Sequence, residues 1–212
     1  MTVVLLHGLG VGQRYFEPLA RELGGAPVRP DLRRPEPMEE LAARVERVLD
    51  GPALLVANSM GCQVAVEVAV RRPQLVRGLV LVGPTVDPRA RSFARQLARL
   101  LATAWYEPLR LVAIVVVDYF TLGPIDTLRQ ARHALAHPIE ERLPGVQAPT
   151  VVVRGAHDRL CPEPWARAAV ERLPEASLVT VAGAGHAAHF SHPGEVAAVV
   201  RRLDERTRAA PG

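Results

Sequence analysis

The sequence predicts an α/β protein: a mainly parallel sheet of about six strands flanked by helices, with a helical insertion after the fourth strand. Three observations carry this prediction. Short apolar runs alternate with longer stretches of helical periodicity along most of the 212-residue chain. The runs are apolar throughout rather than every second residue, as expected of strands covered on both faces of a parallel sheet. The alternation stops between residues 85 and 147, where helical periodicity continues without a comparable strand, and then resumes.

The expected strands are 3–6, 27–30 (the weakest), 53–57, 79–82, 150–153 and 178–181. Between them, Phe16, Leu19, Ala20 and Leu23 line one helical face, and Met38, Leu41, Ala42, Val45, Val48 and Leu49 line another. Residues 60–70 form a strongly apolar helix that Arg71, Arg72 and Pro73 close. Within the insertion, 91–104 repeats a Leu/Ala face and Pro108, Pro124, Pro138 and Pro144 divide the remainder. The β-branched Val115–Val117 sits in surroundings that favour a helix or a bent helix pair. Helices over 164–173 and 193–206 complete the chain. This assigns 1–84 and 148–207 to a core, 85–147 to an all-helical insertion and 208–212 to a tail, with fraying expected from Asp204 onward.

Composition narrows the function. All 26 basic residues are Arg, and the formal net charge is +4. The arginines are spread rather than clustered, so neither a nucleic-acid partner nor a phosphate-binding surface is expected. Cys62 and Cys161 are too few for a disulfide framework. Residues 111–117 are apolar but far shorter than the ~20 residues a membrane span requires. The N-terminus has no basic region ahead of its apolar run. A cytoplasmic protein without a membrane partner is expected.

Ligands of parallel sheets bind beyond the carboxyl ends of the strands, and the chemically informative residues all follow strands. Ala57-Asn58-Ser59-Met60-Gly61 joins a strand to a helix. A Ser on such a turn is held exposed in a strained backbone, and the positions two before and two after it must be small. The alternative is a plain N-cap for the helix. His7-Gly8-Leu9-Gly10 follows the first strand. Its backbone can offer the Leu9 N–H to a developing oxyanion, with the Met60 N–H as second donor, each such donor being worth ~3–4 kcal/mol. Gly8, Gly10 and Gly12 also invite comparison with a dinucleotide loop, but the third glycine is misplaced for that fingerprint. His7 reads as structural. Asp158 follows the fifth expected strand and can orient an imidazole, whereas its rival Asp87 leads straight into the insertion and reads as a helix cap. His186, in Gly183-Ala184-Gly185-His186, follows the last strand and is the natural proton carrier. His189 and His192 read as packing or surface residues.

With those motifs in place, the chain resembles the α/β-hydrolase superfamily from Val3 to about Leu203, most closely its lidded esterase and carbon–carbon hydrolase branch. The resemblance implies the α/β-hydrolase fold, a cap formed by 85–147, and a catalytic triad of Ser59, Asp158 and His186 in that chain order. Three departures stand out. Ala57 replaces the usual first glycine of the serine turn, the two strands that usually precede the first one are missing, and 31–35 is a shortened form of a Gly-rich turn. The reduced sheet edge leaves a homodimer open.

The expected activity is cleavage of a small-to-medium carboxylic ester or thioester, with an apolar small-molecule ester as substrate and neither metal nor organic cofactor. Phe93, Trp105, Tyr106, Tyr119 and Phe120 offer an apolar lining. Two alternatives remain at this stage. One is a carbon–carbon hydrolase or a biosynthetic enzyme using the same triad, with Arg89, Arg91, Arg95, Arg129 or Arg132 binding a substrate carboxylate. The other is a non-catalytic binding protein.

Overall fold

The computed structural model describes residues 2–209. Five strands, β1 (Val3–Leu6), β2 (Ala53–Asn58), β3 (Val76–Val82), β4 (Thr150–Gly155) and β5 (Ala176–Val181), form one sheet in that order, and every neighbouring pair is parallel. The strand expected at 27–30 is reduced to a single bridge between Val28 and Val4. The Leu5 N–H donates to the Val28 carbonyl and the Val28 N–H to the Val3 carbonyl, both at 2.9 Å. Pro27 and Pro30 flank Val28 and carry no N–H, so the ladder extends in neither direction. The insertion therefore follows the third strand rather than the fourth.

Strand side chains alternate between two apolar layers. Val4, Leu6, Leu55, Ala57, Leu79 and Leu81 pack with residues of α2 (Met38–Glu46), α3 (Met60–Arg71) and α8 (Glu163–Arg172). Val3, Leu5, Leu54, Val56, Val80 and Val82 pack with α1 (Glu17–Leu23), the short α9 (Ala188–Ser191) and α10 (Pro193–Ala209). Both faces are thus covered, which is why the strands read as unbroken apolar runs. Each fully buried Leu or Val contributes about 1.5–3 kcal/mol.

The insertion is helical, as expected: α4 (Phe93–Ala104), α5 (Leu109–Leu122), α6 (Pro124–Ala136) and the short α7 (Ile139–Arg142). Val115–Val117 lies inside α5. No single helix among the described residues is long and apolar enough to cross a membrane, and the most apolar pair, α5 and α6, is bent by 103°. The bend falls at Gly123, whose φ of +89° ends α5, and Pro124 starts α6 without needing an N–H.

The chain end differs from the expectation of fraying. The last helix runs on to Ala209 because residue 204 is not free: the buried Asp204 carboxylate accepts from Arg77 of β3 at 2.5 Å and from Arg208 at 2.9 Å. The Thr207 hydroxyl also donates to the Leu203 carbonyl at 2.9 Å. Of the tail assigned to 208–212, residues 210–212 lie outside the described residues.

The insertion is joined to the core by a buried charge cluster. Glu67 on α3 accepts from Arg142 Nε at 2.7 Å and lies 2.9 Å from His137 Nε2. Burial pushes the Glu67 carboxyl up, but the His137 and Arg142 hydrogen bonds outweigh it and hold it below the usual carboxylate range. A depressed folded pKa stabilises the fold above the unfolded value of about 4.3, and that stabilisation is lost as pH falls through the lower folded value. Glu67→Gln therefore flattens the decline of Tm with pH on the acid side below about pH 4.3, as followed by circular dichroism melts; an unchanged acid slope contradicts this role.

Candidate active site

The site is assembled where the five strands end. Ser59 lies between β2 and α3 with φ +57° and ψ −123°, the only non-glycine residue with positive φ among those described. Such a conformation is disfavoured for an L-residue and persists only where its surroundings enforce it. Here the Ser59 N–H donates to the Val82 carbonyl of β3 at 3.0 Å, and α3 begins at once behind it. The Ser59 side chain caps no N–H of α3, so the plain N-cap alternative finds no support in the geometry.

Gly61 sets how near α3 comes to β1. A Cβ there would collide with the Leu6 carbonyl oxygen and lie 2.8 Å from the His7 carbonyl oxygen. Ala57, by contrast, is fully buried in the sheet core without displacing the turn. The first loop closes on the same place, and an ideal Cβ on Gly8 would lie 3.2 Å from the Ser59 Cβ. His7 is structural, as expected: its Nε2 accepts from the Leu32 N–H at 2.8 Å, so the proton sits on Nδ1, directed at the Gly8 carbonyl at 2.9 Å.

Asp158 and His186 form the second half of the site. Asp158 Oδ2 is 2.8 Å from His186 Nδ1, and Asp158 Oδ1 accepts the N–H groups of Leu160 and Cys161 at 2.8 and 2.9 Å. The carboxylate is thus buried yet fully satisfied. Burial pushes Asp158 up, but the His186 charge and hydrogen bonds outweigh it and hold the carboxyl below its ordinary value. Burial pulls the His186 imidazole down, while the Asp158 charge and hydrogen bond raise it further, for a net upward shift. Because Nδ1 faces a carboxylate, Nδ1 carries the proton and Nε2 is the basic nitrogen. That Nε2 is buried and has no hydrogen-bond partner, which calls for an explanation.

Gly83 joins the two halves. It follows Val82, the residue that receives the Ser59 N–H, and an ideal Cβ on it would stand 2.8 Å from the His186 ring and 2.9 Å from Asp158 Oδ2. The loops that carry the acid and the base are tied by the His157 N–H donating to the Ala184 carbonyl at 3.0 Å. Asp87, the rival acid, instead accepts the Arg89 N–H and pairs with Arg99 at 2.9 Å. His192 is bonded to Ser191. His189 is fully buried between the rings of Tyr15 and Phe16, and burial pushes its pKa down to about 3.

Several residues at this site carry no sequence motif of their own. The Asn58 amide donates to the Val82 carbonyl at 3.0 Å and to the His186 carbonyl at 3.2 Å, and it accepts from the Tyr15 hydroxyl at 2.8 Å. It thereby links the serine turn to the histidine loop. The insertion also reaches in. Its Glu107 Oε1 accepts the Ala187 N–H at 2.9 Å, its Thr103 hydroxyl accepts the Arg159 N–H at 3.1 Å, and Tyr106 stacks on His157 at 4.2 Å. Burial raises the Glu107 carboxyl above its ordinary value. From the other side, Gln130 Oε1 accepts the Gly10 N–H at 3.0 Å and Asp118 accepts the Gly12 N–H at 2.8 Å.

Ser59, Leu9 and Met60 border one cavity of about 510 Å3, whose remaining wall comes mainly from α4, α5 and α6. Phe93, Tyr119 and Phe120 line it, whereas Trp105 and Tyr106 do not. No charged side chain lines it, so none of the five arginines considered for a substrate carboxylate takes part. Elsewhere, Glu39, Glu67 and His137 bring three potential metal-ligand atoms within 4.8 Å, but the Arg142 guanidinium already occupies both Glu67 oxygens.

Comparison with known proteins identifies the family and the fold. The profile of the alpha/beta hydrolase family matches residues 3–199. Polyketide synthase ThaQ of Burkholderia thailandensis is 30% identical over 98% of this chain, which spans only 12% of that protein. The pimeloyl-(acyl-carrier protein) methyl ester esterase of Yersinia pseudotuberculosis is 26% identical over 81% of this chain and 76% of its own length. Est816, a solved N-acyl homoserine lactone degrading enzyme, superposes with a TM-score of 0.80 at 19% identity, covering 95% of this chain and 92% of that one. Gly61→Ala is expected to lower stability by about 1–3 kcal/mol in denaturant titration, because the added methyl meets backbone rather than a movable side chain; a shift within error of zero would mean that α3 can move off β1.

Proposed function

The chain belongs to the alpha/beta hydrolase family, and on that premise we propose that it is a serine hydrolase cleaving a small-to-medium carboxylic ester or thioester with an apolar acyl group. The observation that carries this reading is His186. Its Nδ1 is held by Asp158, its basic Nε2 lies buried and unpaired, and its backbone carbonyl is tied by the Asn58 amide to the residue before the strained Ser59 turn. A buried nitrogen left unpaired costs stability, and a proton taken from a serine hydroxyl gives it a use.

In this mechanism Nε2 removes the Ser59 proton as Oγ attacks the substrate carbonyl. The Leu9 and Met60 N–H groups receive the oxyanion, and Asp158 stabilises the imidazolium. The carbonyl–heteroatom bond breaks as His186 returns its proton to the leaving group. His186 then deprotonates water, which attacks the acyl-serine and releases the acid with Ser59 restored. Residues 85–147 act as the cap over this chemistry, and the core comprises 1–84 and 148–207.

Two features favour an ester over a carbon–carbon substrate bearing a carboxylate. The cavity wall holds no cation, and the Yersinia relative is named for cleaving a methyl ester. A non-catalytic role leaves the Ser59 strain and the unpaired Nε2 without a function.

Ser59→Ala is expected to reduce kcat/KM on p-nitrophenyl butyrate by about 10^3-fold or more and to abolish labelling by a fluorophosphonate probe, with Tm preserved. Equal rates in the two proteins rule out Ser59 as nucleophile. Because His186 must be unprotonated to act as base and its pKa is raised, kcat/KM should climb with pH through a midpoint above the ordinary imidazole value of about 6.5. Glu107→Gln keeps the acceptor for the Ala187 N–H but removes a charge that supports the imidazolium, so that midpoint moves to lower pH. A pH profile of the variant that overlies the wild type counts against this coupling.

A further inference from the structure

Exposed large hydrophobic side chains are confined almost wholly to the insertion. Apart from Val48, all of them among the described residues lie between Phe93 and Leu128. They stand well clear of the surface: Trp105 is 90% exposed, Leu109 87% and Phe120 82%. A contiguous apolar surface of this kind marks a site of interaction. On α5 the exposed positions Leu109, Arg110, Val116, Val117 and Phe120 fall on one helical face, and on α6 Ile125, Leu128, Arg129 and Arg132 do the same.

The charges on this surface that form no salt bridge have one sign. Along 93–136 the carboxylates are Glu107, Asp118 and Asp126. Glu107 is turned inward to Ala187, Asp118 is buried on Gly12 and Arg14, and Asp126 is paired with Arg129. Arg95, Arg110 and Arg132 are exposed and form no salt bridge among the described residues. Apolar side chains projecting among unpaired cations match the chemistry of a surface whose interior is hydrocarbon and whose headgroups are anionic. Trp105 is the residue type that settles at such a boundary. A second copy of this chain fits less well, because a twofold contact through this face sets Arg110 and Arg132 against their own kind, and the outward carboxylate there, Asp126, is already paired with Arg129.

The same face is continuous with the cavity at Ser59. Phe93, Leu97, Val116, Phe120 and Leu128 line the cavity and are also among the exposed side chains. We propose that this face of the insertion docks on an anionic lipid surface, so that an apolar substrate passes from the lipid to the cavity without crossing water. No segment spans the bilayer in this arrangement. The expectation of no membrane partner rested on the lack of a spanning stretch and did not address docking from one side. Docking goes beyond the hydrolase reading, and a binding measurement tests it without any turnover.

The test uses the full chain with vesicles of phosphatidylglycerol and phosphatidylcholine, and with vesicles of phosphatidylcholine alone. Co-sedimentation should be at least about tenfold stronger on the anionic vesicles and should weaken as salt rises. Trp105 fluorescence should shift to the blue on binding, and this shift should be absent from Trp105→Phe. Leu109→Asp with Ile125→Asp alters neither the cavity wall nor the triad. It should lower vesicle binding by about tenfold or more while fluorophosphonate labelling of Ser59 persists. Absence of vesicle binding by the wild type overturns the proposal. So does a dimer in sedimentation velocity that Leu109→Asp dissolves, since the face would then be a contact between copies. Loss of labelling in wild-type protein that still binds vesicles overturns the hydrolase reading and leaves the docking intact.

Discussion

The close approach of α3 to the end of β1 is the constraint on which the remaining geometry depends. Without a Cβ at Gly61, the first turn of α3 lies over the Leu6 and His7 carbonyls. That approach forces the chain through a tight reversal at residue 59 and brings the Gly8 loop against the serine. It also places Leu9 and Met60 on one cavity wall with Ser59. The neighbouring strand completes the arrangement. Val82 receives the Ser59 N–H, and Gly83 leaves room for the Asp158–His186 pair beside it. A single local packing requirement thereby bears on the relative position of groups that come from five strand ends.

A second feature is the division of labour within the insertion. Four of its polar residues point inward and are used: Thr103 and Glu107 hold the Asp158 and His186 loops, and Asp118 and Gln130 hold the glycine loop. Its apolar residues are shared between the cavity and the exterior. This inverts the usual distribution, and it follows from where the insertion sits. A segment lying over exposed strand ends meets unpaired backbone N–H groups, which carboxylates and amides satisfy.

The side chains proposed as catalytic stood out in the sequence because each sits in a short motif after an apolar run, and small residues flank it for steric reasons that leave a trace. The strand count was less legible. Val28 has the side chain of a strand residue, but Pro27 and Pro30 remove the N–H groups a ladder needs, and the sheet edge ends in one bridge. The last helix was underestimated because its final turns are polar, and what holds them is the buried Asp204 pairing with Arg77, 127 positions away. Distance along the chain also hid Asn58, Glu107 and Gln130. Each acts through a partner whose position depends on the tertiary fold, and no local periodicity or spacing records such a pairing. Trp105 and Tyr106 were read as cavity lining on composition alone, yet one faces outward and the other stacks on His157.

On the proposed hydrolase reading, the two groups of hydrogen bonds from the insertion to the core have a consequence for substrate discrimination. They end on both sides of the reacting centre, one on the glycine loop and the other on the loops carrying Asp158 and His186. Lifting the insertion would release the Gly10 and Ala187 N–H groups together, so the closed position and an ordered reaction centre form a single equilibrium. By reciprocity, a ligand that favours closure orders the machinery, and one that props the insertion open disorders it to the same degree in free energy. A poorly fitting molecule would then be rejected through the loss of alignment it causes, even where its affinity is adequate.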